Sequence, residues 1–120
     1  MANAGSRSLG DMIREARTRR GITLRALAEK FAKSASYISD IENDRRTPAE
    51  PFLRDICNVL SLDFDDAMAL AGRIGDGAER ELRRTPELGL LFRKLSDLPA
   101  DDRDATIRRY LNEVERKLQS

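Results

Sequence analysis

Between Ser34 and Arg46 the chain reads SASYISDIENDRR, short hydroxyl, amide and carboxylate side chains followed by two arginines. On a wheel turned at about 100° per residue, Ser36, Ser39, Asp40 and Asn43 gather opposite Ile38 and Ile41. Polar side chains this short can reach the donor and acceptor edges of nucleic-acid bases, whereas a merely solvated helix face more often carries Lys and Glu. Asp40 repels phosphate but can accept from a cytosine amino group. Tyr37 lies between the two faces, where its hydroxyl can meet a phosphate or its ring can pack. Arg19, Arg20, Arg25, Lys33, Arg45 and Arg46 flank this stretch, and together they suit a clamp on the phosphate backbone.

Such a face needs a scaffold to present it, and the flanking sequence supplies helical signals. Leu9, Met12, Ile13 and Ala16 recur at the spacing of one helix stripe, and Gly21 stops that helix. Thr23 is placed to cap a second helix with Leu24, Leu27, Ala28 and Phe31 inward. Ser34 caps a third, which ends near Asn43 or Asp44 in the left-handed conformation. The span 23–48 therefore predicts two short helices about a tight turn, a helix-turn-helix, whose second helix enters a major groove. Thr47-Pro48-Ala49-Glu50 reads as a capping box with proline at the first helical position of a fourth helix, which buries Leu53, Ile56, Cys57 and Leu60. Asp63 opens a fifth through Phe64, Ala67 and Leu70, and Gly72 closes it.

Residues 1–6 are small and polar and are expected to be disordered, so the reading unit spans 7–73. Gly75-Asp76-Gly77 reads as a hinge within a linker and short helix over 74–84. A helical segment over 85–120 follows, opened by Thr85-Pro86 and again by Pro99. Leu88, Leu91, Phe92 and Leu95 form one apolar stripe there. Ile107, Leu111, Val114 and Leu118 form a heptad-like seam that no isolated helix can bury in water. No stretch alternates as a strand would. The expected class is all-α.

Composition narrows the chemistry. The chain has 120 residues, no His and one cysteine, which excludes His-based catalysis, a Cys/His zinc site and an intrachain disulfide. Cys57 sits among core positions and reads as a small buried apolar residue. Neither a phosphate-binding loop nor a nucleophile–base pair is present, so no enzyme, no metal and no cofactor are expected. No apolar run is long enough to span a membrane and the N-terminus lacks a signal-peptide core, so a soluble cytoplasmic protein is expected. Net charge is only +1, but residues 1–46 hold ten Lys/Arg against six Asp/Glu, and residues 47–73 hold two against five. A basic face on a near-neutral body suits site-specific binding of DNA better than indiscriminate coating.

Over about residues 9–72 the chain resembles the xenobiotic-response-element (Cro/C1-type) repressors. The matching features are the Arg-Gly end of the first helix, the L-A-E-K of the second, then S-x-S-Y-I-S-x-I-E and R-x-x-P. The resemblance implies a five-helix, lambda-repressor-like DNA-binding domain with a C-terminal helical dimerisation segment. By residue, it implies that Arg17 pairs with Glu42 to brace the first helix against the third. Ser34, Ala35, Ser36, Tyr37 and Asp40 take groove-reading and phosphate-contacting positions, and Asn43, Arg45 and Arg46 take the loop that touches backbone. Thr23, Arg25, Lys33 and Ser39 complete the DNA-binding set. Leu24 stands where many members carry a contacting Gln, so that contact is expected to be missing. Ala32 replaces the usual turn glycine, so a looser turn is expected.

The leading expectation is a homodimeric repressor reading an inverted-repeat operator in double-stranded DNA, because two half-sites need two reading heads. Leu88, Leu91, Phe92, Leu95, Ile107, Leu111, Val114 and Leu118 would make the dimer. The alternative is an antitoxin or adaptor whose residues 78–120 bind a protein partner. The tail also loosely resembles those of small repressors inactivated by a partner metallopeptidase in stress or phage-defence operons, which adds a regulatory protease as a partner.

Overall fold

The computed structural model describes residues 7–75 and 77–120, and every regular element among them is an α-helix. Two compact units divide the chain after Gly75. The first holds α1 (Leu9–Arg19), α2 (Leu24–Lys30), α3 (Ala35–Glu42), α4 (Glu50–Leu60) and α5 (Phe64–Leu70). The second holds α6 (Ala78–Arg84), α7 (Pro86–Asp97) and α8 (Ala100–Leu118). The segment expected to be disordered, 1–6, and Asp76 of the expected hinge lie outside the described residues.

Local capping explains where the helices of the first unit begin. Thr23 Oγ1 accepts from the Ala26 amide at 3.0 Å, Ser34 Oγ from Tyr37 at 3.1 Å and Asp63 Oδ1 from Asp66 at 2.9 Å. Each satisfies one of the amides a helix start leaves without an internal partner. Ser8 and Asp11 cap α1 reciprocally. The capping box expected at Thr47 does not form. The helix starts two residues later, with Ala49 as its cap and no side-chain bond, and Pro51 rather than Pro48 lies in its first turn. Pro48 is instead fully buried, and its carbonyl accepts from Arg73 Nη1. The core holds Pro48 in the incoming strap, so the helix can begin only after it.

The ends of α1, α2, α3 and α5 share one device. The residue after the cap turns left-handed, and the next amide reaches five residues back, as at Ile22 to Arg17, Lys33 to Ala28 and Arg45 to Asp40. Gly21 supplies the left-handed residue after α1, but Ala32 (φ 55) and Asp44 (φ 60) supply it after α2 and α3. The turn between α2 and α3 is therefore as tight as a glycine would make it, correcting the looser turn expected from Ala32. The alanine accepts the cost of a Cβ in that conformation, about 1 kcal/mol.

Leu9, Met12, Ile13, Ala16, Leu27, Ala28, Ile38, Ile41, Leu53, Ile56, Cys57, Leu60, Ala67 and Met68 form the core. Leu24, Phe31, Phe64 and Leu70, expected inward, pack half-buried at its edge, while Met68 goes inside. The tightest approach is between α1 and the end of α3. A Cβ on Gly10 would lie 2.3 Å from the Glu42 carbonyl oxygen, and the Gly10 amide donates to Asp44 Oδ1 at 3.0 Å. Gly10→Ala is accordingly expected to destabilise the first unit by about 1–3 kcal/mol, read as a lower urea midpoint in equilibrium unfolding.

Candidate nucleic-acid interface

The orientation of α3 is set from α1. Arg17 Nε donates to Glu42 Oε2 at 2.6 Å and Nη2 to Glu42 Oε1 at 3.1 Å, a two-point contact, while Nη1 donates to the Ile22 carbonyl at 2.7 Å. Glu42 is 3% exposed. The bond to Glu42 raises the Arg17 pKa above its ordinary value, outweighing the effect of burial. One guanidinium thus joins α1, the loop before α2 and the last residue of α3. Arg14 adds a second tie, donating through Nη2 to the Glu42 carbonyl at 3.0 Å and to Asn43 Oδ1 at 2.7 Å.

That second tie divides the polar face of α3. Asn43 Nδ2 donates to the Ser39 carbonyl at 2.9 Å and lies 3.3 Å from Ser39 Oγ. Because Arg14 can only donate, the Asn43 oxygen must face it and the amide nitrogen must face Ser39. Asn43 and Ser39 are therefore engaged within the protein. Ser36 is exposed, Ala35 and Asp40 are half-buried on the open side, and Ser34 has its hydroxyl in the helix cap. Asp40 Oδ1 lies 3.4 Å from Arg45 Nη1, and Arg45 is 69% exposed, a pair that solvent screens heavily.

Tyr37 is built into an aromatic platform. Its ring stacks on Phe52 at 5.8 Å, and Phe52 meets Phe31 edge-on at 5.1 Å. Lys33 Nζ stands 5.6 Å from the Tyr37 centroid and 5.4 Å from that of Phe52, and the Arg46 guanidinium stands 5.0 Å from Tyr37. A cation preceding α3 and one following it are thereby steered over the same ring. Among the described residues Arg25, Lys33 and Arg46 have no carboxylate partner, and neither do Arg19 and Arg20. Thr23 is exposed at the start of α2, its hydroxyl in the cap. Sequence reasoning missed Arg14 and Phe52, while Asp44 takes the left-handed conformation expected of it or of Asn43. Phe52 and Arg14 carry signals that read equally well as core and as surface charge, and only the packing joins them to α3.

Other chemistry is sparse. Burial pushes the Cys57 thiol up, so it stays protonated. Among the described residues no group of His, Cys, Asp or Glu could hold a metal ion, and no helix is long and apolar enough to cross a membrane. The eight residues expected to make a dimer all lie in the second unit, where no described residue is buried. Phe92 is 71% and Leu118 78% exposed.

A family model described as a helix-turn-helix domain matches residues 8–71. Transcriptional regulator ClgR of Mycobacterium tuberculosis, in strains CDC 1551 / Oshkosh and H37Rv, is 36% identical over 78 residues, covering 65% of this chain and 70% of the relative. The uncharacterized HTH-type transcriptional regulator RghRB of Bacillus subtilis is 35% identical over 79 residues, covering 65% of this chain and 56% of that protein.

Arg17→Ala would leave the Glu42 carboxylate buried with only Arg14 near it, and is expected to cost about 3 kcal/mol of stability. Arg17→Lys should recover only part of that, since an ammonium cannot span both carboxylate oxygens and the Ile22 carbonyl. Thermal and urea unfolding of the two variants check this, and an unchanged stability for Arg17→Ala would overturn it.

Proposed function

This chain belongs to the helix-turn-helix family of DNA-binding transcriptional regulators, and on that premise we propose that it is a homodimeric repressor of an inverted-repeat operator. What carries the reading is the open side of α3, short polar groups bordered by Arg25, Lys33 and Arg46, which have no carboxylate partner among the described residues. Phosphate contacts from Arg25, Lys33, Arg45 and Arg46 would position the helix, and Ser36 and Asp40 would read base edges. Asn43 and Ser39, tied to α1 through Arg14, hold the reading helix in register instead of reading bases themselves.

The second unit would join two heads. Linking two weak contacts raises apparent affinity through effective concentration, often by a hundredfold or more. The exposed stripes of α7 and α8 also support the second reading, a protein partner bound by residues 78–120, with removal of that segment by a protease as an off-switch.

Ser36→Ala and Asp40→Ala are expected to reduce discrimination between operator and random duplex by about 1–3 kcal/mol. Arg46→Ala should weaken both duplexes alike and lower the salt slope by about one. Fluorescence anisotropy against a selected operator and a scrambled duplex separates the two behaviours, and unchanged specificity in Asp40→Ala would refute the assigned orientation of α3.

A chain ending at Arg73 is expected to stay folded, sediment as a monomer and bind the full operator at least about a hundredfold more weakly. Sedimentation and anisotropy of that shortened chain test this. An undiminished dimer would move the interface into the first unit.

A further inference from the structure

The apolar seam of α8 is open: Ile107 is 43%, Leu111 54%, Val114 52% and Leu118 78% exposed. Their 4, 3, 4 spacing makes Leu111 and Leu118 the a positions of a heptad and Ile107 and Val114 the d positions. The edges of the seam are then Arg108 and Glu115 at e, and Arg103, Tyr110 and Lys117 at g. Edge charges decide partner and orientation in such a helix pair. Arg108 and Glu115 are both exposed, and neither has an ion-pair partner among the described residues, whereas Glu113 on the far side faces Arg116 at 3.8 Å.

With a second copy as the occupant, the two orientations differ sharply. A parallel pair sets each g residue against the e residue five positions on in the other chain. Arg103 would then face the partner's Arg108, two like charges, and Tyr110 would face the partner's Glu115. Both acidic helix starts, with Asp101, Asp102 and Asp104, would also lie together, as would both basic ends. An antiparallel pair with Leu111 against the partner's Val114 also sets Ile107 against the partner's Leu118. In that register e meets e and g meets g. Arg108 faces the partner's Glu115, and Tyr110 faces the partner's Lys117, each twice by the two-fold symmetry. Sliding the pair by one heptad, so that Leu111 meets the partner's Ile107, brings Arg108 against the partner's Arg108 and Asp101 against the partner's Glu115. Only the first antiparallel register makes every edge contact favourable. It also opposes the two helix dipoles.

We propose that α8 is the dimer contact, pairing antiparallel with α8 of a second copy through Ile107, Leu111, Val114 and Leu118, with Arg108 and Glu115 fixing orientation and register. This rests on the dimeric reading above and specifies its geometry. The overlap of residues 107–118 is about 18 Å long. A seam this short leaves the edge charges with a measurable share of the affinity.

Glu115→Arg is the sharpest probe. Its neighbours one turn away are Leu111, Asn112, Leu118 and Gln119, so the change disturbs no charge pair within its own helix. It also places a cation near a helix C-terminus, which favours the helix itself. In the full chain, sedimentation equilibrium is expected to show Glu115→Arg weakening the dimer about tenfold. The double variant Arg108→Glu/Glu115→Arg should restore most of the loss. Under mild oxidation, a mixture of Leu111→Cys and Val114→Cys chains should cross-link one variant to the other faster than either to itself. Leu111→Cys cross-linking preferentially to itself, or Glu115→Arg leaving the dimer unweakened, would overturn the antiparallel register while sparing the dimer. A wild-type chain that stays monomeric throughout would overturn both.

Discussion

Glu42 is a carboxylate inside an apolar core, and the position of α3 depends on how that charge is neutralised. An unpaired carboxylate at 3% exposure would cost several kcal/mol or force a proton onto the group. Arg17 prevents this through two bonds to Glu42, and its third donor fixes the Ile22 carbonyl at the entrance to α2. Because the bonds are directional, they set the rotation of α3 about its axis as well as its distance from α1. The base reading proposed for Ser36 and Asp40 needs that rotation fixed. The absence of a Cβ at Gly10 permits the same approach, letting the Glu42 carbonyl come against α1.

The cations around α3 are placed by a different force. Tyr37, Phe52 and Phe31 pack ring against ring at the edge of the core, half-buried, and leave faces that attract Lys33 and Arg46. Long basic side chains normally wander, and ordering them on binding costs conformational entropy. Partial ordering over a ring reduces that cost before any phosphate arrives. Tyr37 thus packs against Phe52 and positions Lys33 and Arg46 at once.

The second unit shows the opposite balance. Its helices are capped weakly, with no side-chain cap bond on α6, α7 or α8, and no described residue is buried. Propensity and charge patterning sustain the helices, yet their apolar stripes remain in water. A surface of this kind has the character of an interface awaiting its second half.

Sequence alone determined the elements. Helix period, Thr23, Ser34 and Asp63 as caps, and the glycines after α1 and α5 are local properties, and local rules locate them. The same holds for the outward face of α3, because Ile38 and Ile41 declare its inner side. The start of α4 escaped these rules. Thr47 and Pro48 satisfy every local signal for a cap, and burial of Pro48 overrides them. The division of that polar face was likewise decided in three dimensions. Asn43 and Ser39 look equivalent to Ser36 and Asp40 on a wheel, and only the reach of Arg14 across from α1 engages them within the protein. Periodicity reports which way a side chain points. What waits for it there belongs to residues distant in the chain, and only the folded structure brings them together.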